Sequence, residues 1–308
     1  MQAAGKEREE GRRAGDGDGS GSSGRIASKF AELRARNERG LVTYAMTGFP
    51  SERVSVSAVS GMIRGGADVI ELGFPFSDPL ADGPAIQEAS SGALGRGATF
   101  EGFLRTASRI RRANRDVPLV LMTYTNILYN LGYDRAASMI SDAGIDGIIL
   151  PDMAADESAP YVAAARRCGL DTIFLASPNT PAGRLRRIAS LSTGFLYMVA
   201  VYGTTGVRGG RAGRRAGKAG SSSVAGYALD AIRRAKRTAG RPRTRLPIGV
   251  GFGISSPADV RQYVGAGADA IIVGSAYTKI IKESAPRDVE KNVSAFTRRL
   301  KAATRGAS

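Results

Sequence analysis

The chain has 308 residues, 43% of them hydrophobic, a formal net charge of +16, one cysteine and no histidine. No apolar run reaches the roughly 18 residues that span a bilayer, and the polar N-terminus lacks a secretory core, so the composition describes a soluble, cytoplasmic protein. With Cys168 alone and no histidine, an internal disulfide, a Cys/His nucleophile and an ordinary zinc site are excluded, and acid/base chemistry near neutral pH falls to Asp, Glu, Tyr, Lys or that cysteine.

Residues 1–24 are Gly/Ser-rich and charged without apolar periodicity, which predicts a disordered tail. Ile26, Phe30 and Leu33 then fall at i, i+4 and i+7, the pattern of a short amphipathic helix. From Leu41 onward eight short apolar runs alternate with amphipathic segments. The predicted strands are Leu41 to Ala45, Asp68 to Leu72, Leu119 to Thr123, Gly147 to Leu150, Thr172 to Ala176, Phe195 to Val199, Ile248 to Gly251 and Ala270 to Val273. Helical patterns lie between them, including Leu185 with Ile188, Leu229 with Ile232, and a last one on Val289, Val293, Phe296 and Leu300. Strands this apolar, separated by helices, belong to a parallel sheet covered on both sides. Eight such units favour an α/β fold that closes into a single (β/α)8 TIM barrel with an added N-terminal helix, ahead of an open doubly wound sheet. The barrel domain is expected over 25–304, with a short tail at 305–308.

One phrase recurs along the chain: Gly-Ala-Asp before Val69, Gly-Ile-Asp before Gly147 and Gly-Ala-Asp before Ala270. Aligned on Asp68, Asp146 and Asp269, two copies carry Ile149 and Ile272 where the other carries Glu71. A carboxylate inside a strand is costly unless it is paired or used, because burial disfavours its charge. In a barrel the active site gathers at the C-terminal ends of the strands. Glu71, Asp78 and Asp82 follow the second strand, Tyr124 and Asn126 the third, and Asp152 the fourth. Tyr197 lies in the sixth strand. Asp78, before Pro79, reads as a turn or interface residue, and Asp152 reads equally as structural or site-lining. After the seventh and eighth strands, "GFGISS" and "GSA" place glycine and serine before a helix, where free N–H groups favour an anion such as a phosphate.

The basic excess is local. From 208 to 245 there are twelve Lys/Arg against one acid, Asp230. This reads either as a solvated basic face or as an anion or nucleic-acid patch; Tyr227 is the sole aromatic there, too few for a stacking platform.

The stretch "ELGFPFSDPLADGPAIQ" (Glu71 to Gln87), followed in order by "YTNILYNLG", "LPDMAADES", "SPNTP", "GTTGVRG" and "GFGISSP", resembles the tryptophan synthase alpha subunit family over roughly Ile26 to Thr304. That resemblance implies retro-aldol cleavage of indole-3-glycerol phosphate to indole and glyceraldehyde 3-phosphate. It implies Glu71 and Asp82 as the catalytic pair, Tyr197 beside them, and Thr205 closing over Asp82. It further implies Gly206, Phe252, Gly253, Gly274 and Ser275 around the phosphate, and Tyr44, Ile86, Met122 and Tyr124 in or beside the indole pocket. No cofactor or metal is implied for this chain. Pyridoxal phosphate is expected in a partner beta subunit, within an assembly of two alpha and two beta chains. One departure from the family is a longer, more basic segment after Gly206, with an insert at 208–223 of few apolar residues. Two other readings stand beside this one: another phosphate-binding barrel lyase or isomerase, and a barrel scaffold that binds nucleic acid through 208–245.

Overall fold

In the computed structural model the described residues are 24–199, 230–238, 246–251 and 253–305. The strands fall within a residue or two of the apolar runs: β1 (Gly40–Met46), β2 (Val69–Gly73), β3 (Leu119–Met122), β4 (Gly147–Ile149), β5 in two pieces (Asp171–Ile173 and Leu175–Ala176), β6 (Leu196–Val199), β7 (Ile248–Gly251) and β8 (Ala270–Val273). All pair in parallel. The ladder runs from the first piece of β5 through β4, β3, β2, β1, β8, β7 and β6 to the second piece of β5. Its two ends are therefore one stretch of chain interrupted at Phe174, and the eight strands close a barrel. Across the interruption the Phe174 carbonyl still accepts the Tyr197 N–H at 3.0 Å.

The surrounding helices are α1 (Arg25–Ala35), α2 (Glu52–Arg64), α3 (Pro84–Leu94), α4 (Phe100–Ala113), α5 (Thr125–Leu131), α6 (Tyr133–Asp142), α7 (Ala159–Arg167), α8 (Ala182–Leu191), α9 (230–238), α10 (Pro257–Gly265), α11 (Ser275–Glu283) and α12 (Val289–Thr304). The predicted periodic residues are the buried ones: Leu185 and Ile188 on α8, Ile232 on α9, and Val289, Val293, Phe296 and Leu300 on α12. Leu229, the predicted insert 208–223 and residues 1–23 of the predicted tail lie outside the described residues.

Two apolar layers result. The outer one joins strands to helices. The inner one fills the barrel with Val42, Val69, Val120, Ile149, Ile173, Phe195 and Ile272, and α1 adds Ile26, Phe30 and Leu33 to it. Phe30 meets Phe195 at a ring-centroid distance of 5.9 Å, so the added helix closes one end of the barrel. Each of its three buried side chains contributes about 1.5–3 kcal/mol of burial.

The recurring phrase turns out to be a structural device at that same end. Gly66, Gly144 and Gly267 all have positive φ, which ends the preceding helix. The aspartate that follows then clamps the neighbouring strand in both directions. Asp68 donates its N–H to the Leu41 carbonyl at 2.9 Å while its carboxylate accepts the Leu41 N–H at 2.7 Å. Asp146 does the same with Leu119, and Asp269 with Ile248. Each carboxylate also meets a cation: Lys301 at 2.7 Å, Arg111 and Arg25 at 2.5 and 2.8 Å, and Lys236 at 3.3 Å. A fourth copy, Gly169-Leu170-Asp171, escaped the sequence reading; its glycine also has positive φ, and its aspartate keeps the backbone bond to the Asp146 carbonyl. Stabilising groups thus sit at the strand starts, leaving the strand ends for chemistry.

Candidate active site

Glu71 lies near the C-terminal end of β2, paired in register with Tyr44 on β1 and Val120 on β3. Its side chain enters the barrel mouth, and the residue is 1% exposed. No hydrogen-bond partner reaches its Oε2. Burial first, and the nearby charge of Asp82 second, push the Glu71 carboxyl up to about 8. An acid poised there holds its proton at neutral pH and can also give it up.

Asp82 comes from the turn between β2 and α3. Three bonds shape that turn: Leu80 N–H to the Asp78 carbonyl, Asp82 N–H to the Pro79 carbonyl at 3.0 Å, and the Gln87 amide to the Asp82 carbonyl at 2.9 Å. Gly83 then caps α3, with Pro84 at a first-turn position where a missing N–H costs nothing. Asp82 is buried, which raises its carboxyl to about 6 against the lowering hydrogen bond from the Tyr124 hydroxyl, 3.2 Å from Oδ2. Environment therefore separates the two acids, raising the Glu71 carboxyl further than that of Asp82.

The two acids line a small pocket together with Tyr44, Ile86, Met122, Tyr197, Gly253, Ile254, Ile272, Gly274 and Ser275. Burial and the neighbouring acids hold the Tyr44 and Tyr197 phenols well above their usual range, so both remain neutral. Most of the residues named from sequence are thus brought together. Tyr124 is not on the pocket wall but behind it, bonded to Asp82. Thr205, Gly206 and Phe252 lie outside the described residues. Asp78 is an exposed turn residue, and Asp152 binds the start of α5.

Sequence reasoning missed Ile254, Ile272, Gly73 and Gly251. A Cβ on Gly73 would lie 2.2 Å from the Tyr44 hydroxyl, and one on Gly251 would lie 2.5 Å from the Tyr197 hydroxyl. These strand-end glycines make room for the two phenols. The signal was present in the Glu71-Leu72-Gly73 and Gly249-Val250-Gly251 runs, where a glycine ends an apolar strand without a turn to require it.

The two helix starts that were expected to hold an anion differ. At α10 the Asp259 carboxylate already accepts the Ser255 and Ser256 N–H groups, both at 2.9 Å, in a capping box. At α11 the N-cap is Gly274 and no side chain caps the helix, and Gly274 and Ser275 line the pocket beside Gly253. A larger hollow lies beyond the Asp82 turn, lined by Leu80, Ala81, Asp152, Asn179 and Arg184, and neither acid is among its lining residues.

The family described as Tryptophan synthase alpha chain matches residues 30–305. The chain belongs to the tryptophan synthase alpha chain family. It is 39% identical over 284 residues to the tryptophan synthase alpha chain of Methanosarcina acetivorans, covering 92% of this chain and 95% of that one. It is 41% identical over 278 residues to that of Solibacter usitatus, covering 90% and 97%. A solved structure of Mycobacterium tuberculosis tryptophan synthase superposes with a TM-score of 0.79 at 32% identity, covering 92% of this chain and all of that one. Membership makes the chain a lyase of tryptophan biosynthesis.

The basic segment reads differently beside this geometry. Among the described part of 208–245, Lys236 clamps Asp269, Arg234 donates to the Pro178 carbonyl, and Arg233 pairs with Asp230. Of the four cations in that described part, which also holds the exposed Arg237, Lys236 and Arg234 serve the fold.

Proposed function

We propose that the chain cleaves indole-3-glycerol phosphate to indole and glyceraldehyde 3-phosphate with Glu71 and Asp82 as its catalytic residues. The observation that carries this reading is the pair itself: a buried acid whose Oε2 has no hydrogen-bond partner and whose carboxyl is raised by burial, beside a second acid held by the Tyr124 hydroxyl, both lining one pocket whose rim offers a helix start without a side-chain cap.

The reaction needs one proton delivered to the indole ring carbon that bears the glycerol chain, and one removed from the neighbouring hydroxyl. Glu71 gives its proton to that carbon, which places positive charge on the ring nitrogen. Asp82 accepts the ring N–H and stabilises that charge. The Glu71 carboxylate then takes the hydroxyl proton; the chain carbon becomes an aldehyde, the carbon–carbon bond breaks, and its electron pair restores the aromatic ring. Glu71 ends protonated, as it began, and nothing is oxidised or reduced. Both proton transfers are within the reach of one acid tuned near working pH.

Tyr44, Ile86, Met122, Tyr197 and Ile272 supply the apolar walls for the indole. Gly253, Gly274 and Ser275 hold the phosphate at the α11 start. No cofactor enters this sequence of steps, and pyridoxal phosphate belongs to a beta subunit that consumes the indole. A solved structure bears the words "tryptophan synthase a2b2 complex" from Pyrococcus furiosus, at a TM-score of 0.73 and 34% identity, which supports the same assembly here. Leu80 and Tyr129 are the large apolar side chains left exposed among the described residues. Among the described residues no helix is long and apolar enough to cross a membrane, and we place the enzyme in the cytoplasm.

Glu71→Gln and Asp82→Asn test the assignment. Each should still bind glyceraldehyde 3-phosphate while losing cleavage by about 10²-fold or more. Unchanged cleavage in either variant removes that residue from the mechanism.

A further inference from the structure

We propose that Asp152 is a positioning residue for Asp82, acting through Tyr124; the proposal rests on the role assigned to Asp82 above. Asp152 follows β4, in a turn where the Met153 N–H bonds the Leu150 carbonyl at 3.2 Å. Its carboxylate reaches across to the next unit and grips Thr125. Oδ1 accepts the Thr125 N–H at 3.0 Å and the Thr125 hydroxyl at 2.9 Å, and Oδ2 lies 3.2 Å from the same N–H. The residue before Thr125 is Tyr124, the N-cap of α5, held in extended geometry with φ −94° and ψ 149°.

Tyr124 in turn holds the Asp82 turn at three points. Its hydroxyl donates to Asp82 Oδ2 at 3.2 Å and accepts the Ala81 N–H at 3.1 Å. Its ring stacks on Phe76, with centroids 4.8 Å apart and planes 19° from parallel. Phe76 is itself fixed to α3, because the Ser90 hydroxyl bonds both its N–H and its carbonyl. Among the described residues, Tyr124 makes the hydrogen bonds that tie the 78–82 turn to another strand-helix unit. Three successive loops are thereby linked: Asp152 after β4, Thr125 and Tyr124 after β3, and Asp82 after β2.

The reason for the arrangement is leverage. Tyr124 carries its hydroxyl at the far end of a long rigid side chain, so a small rotation of its backbone displaces the hydroxyl by more. A carboxylate bonded to the very next peptide N–H opposes that rotation. The bonds involve a charged acceptor, which makes them stronger than neutral ones. Displacing a catalytic group by 1 Å lowers turnover by up to about 10²-fold.

The test is a double-mutant cycle on indole formation from indole-3-glycerol phosphate. Asp152→Ala should lower kcat by about tenfold, with KM changed by less than about threefold, because the bound ground state depends little on where Asp82 points. Asp152→Asn, whose amide oxygen can still accept the Thr125 N–H, should stay within about threefold of wild type. In a Tyr124→Phe background Asp152→Ala should cost nothing further, since the path it acts through is gone. Should Asp152→Ala fail to fold, Thr125→Val reads the same link from its other partner: a loss of about threefold that vanishes in Tyr124→Phe. A rate for Asp152→Ala within twofold of wild type overturns the proposal, as does a loss from Asp152→Ala or Thr125→Val that persists undiminished in Tyr124→Phe. Absence of indole from the wild-type enzyme would instead defeat the proposed function.

Discussion

Glu71→Gln separates what the acid does for turnover from what it costs the fold. Burial and the charge of Asp82 hold the carboxyl at about 8, against an ordinary value of 4.5. Below 4.5 both the folded and the unfolded chain carry the proton, and no penalty exists. As pH rises from 4.5 toward 8 the unfolded chain releases the proton while the folded chain retains it, so the fold loses stability over that window. The loss is about 1.4 kcal/mol per pH unit, reaching about 3 kcal/mol at pH 7 and levelling near 5 kcal/mol above pH 8. Glutamine keeps the shape but does not titrate. Urea unfolding of wild type and variant from pH 4.5 to 8.5 should therefore give diverging curves, with the variant gaining about 3 kcal/mol relative to wild type by pH 7. Over the same range indole formation by the variant should be lower by about 10²–10⁴-fold. Stability curves that run parallel would refute the raised carboxyl, and turnover within about tenfold of wild type would refute its role as the proton donor.

Because Asp82 must be ionised and Glu71 protonated, kcat/KM should describe a bell with limbs near 6 and 8, both belonging to the coupled pair, and a flat profile from pH 5 to 9 would contradict the assignment. Gly73→Ala and Gly251→Ala should push the Tyr44 and Tyr197 hydroxyls out of place, costing about 1–3 kcal/mol of stability and raising KM, as read by thermal unfolding and steady-state kinetics. Gly274→Val should weaken binding of glyceraldehyde 3-phosphate more than that of indole, whereas equal losses in calorimetry would locate the phosphate elsewhere. Asp68→Ala removes the 2.7 Å partner of Lys301, leaving it Glu38 at 3.5 Å, and strips the buried Leu41 N–H of its carboxylate acceptor, so unfolding should be easier by about 1–3 kcal/mol with KM unchanged.

The barrel was legible because its strands are nearly continuous apolar runs and its helices keep their period, as on α12. Glu71 stood out by comparison with Ile149 and Ile272, which face the same barrel interior. What the sequence could not show was contact between distant units. Asp152 read equally as structural or site-lining, and only the folded chain brings it to Thr125. Tyr124 was placed in or beside the indole pocket by resemblance; that its hydroxyl reaches Asp82, because β3 lies beside β2 in the barrel, was not legible. The start of α10 was expected to offer free N–H groups, but Asp259, one turn on, bonds them first. The aspartates of the recurring phrase could not be told from site residues until their partners across the strand starts were known.

The central claim is that Glu71 and Asp82 break the bond between indole and its glycerol phosphate chain. The direct measurement is product formation from indole-3-glycerol phosphate by the purified chain, alone and with a tryptophan synthase beta subunit. Indole and glyceraldehyde 3-phosphate should appear in equal amounts from wild type, with the beta subunit increasing the rate, and should be nearly absent from Glu71→Gln. No indole from wild type under either condition, or undiminished indole from Glu71→Gln, would contradict it.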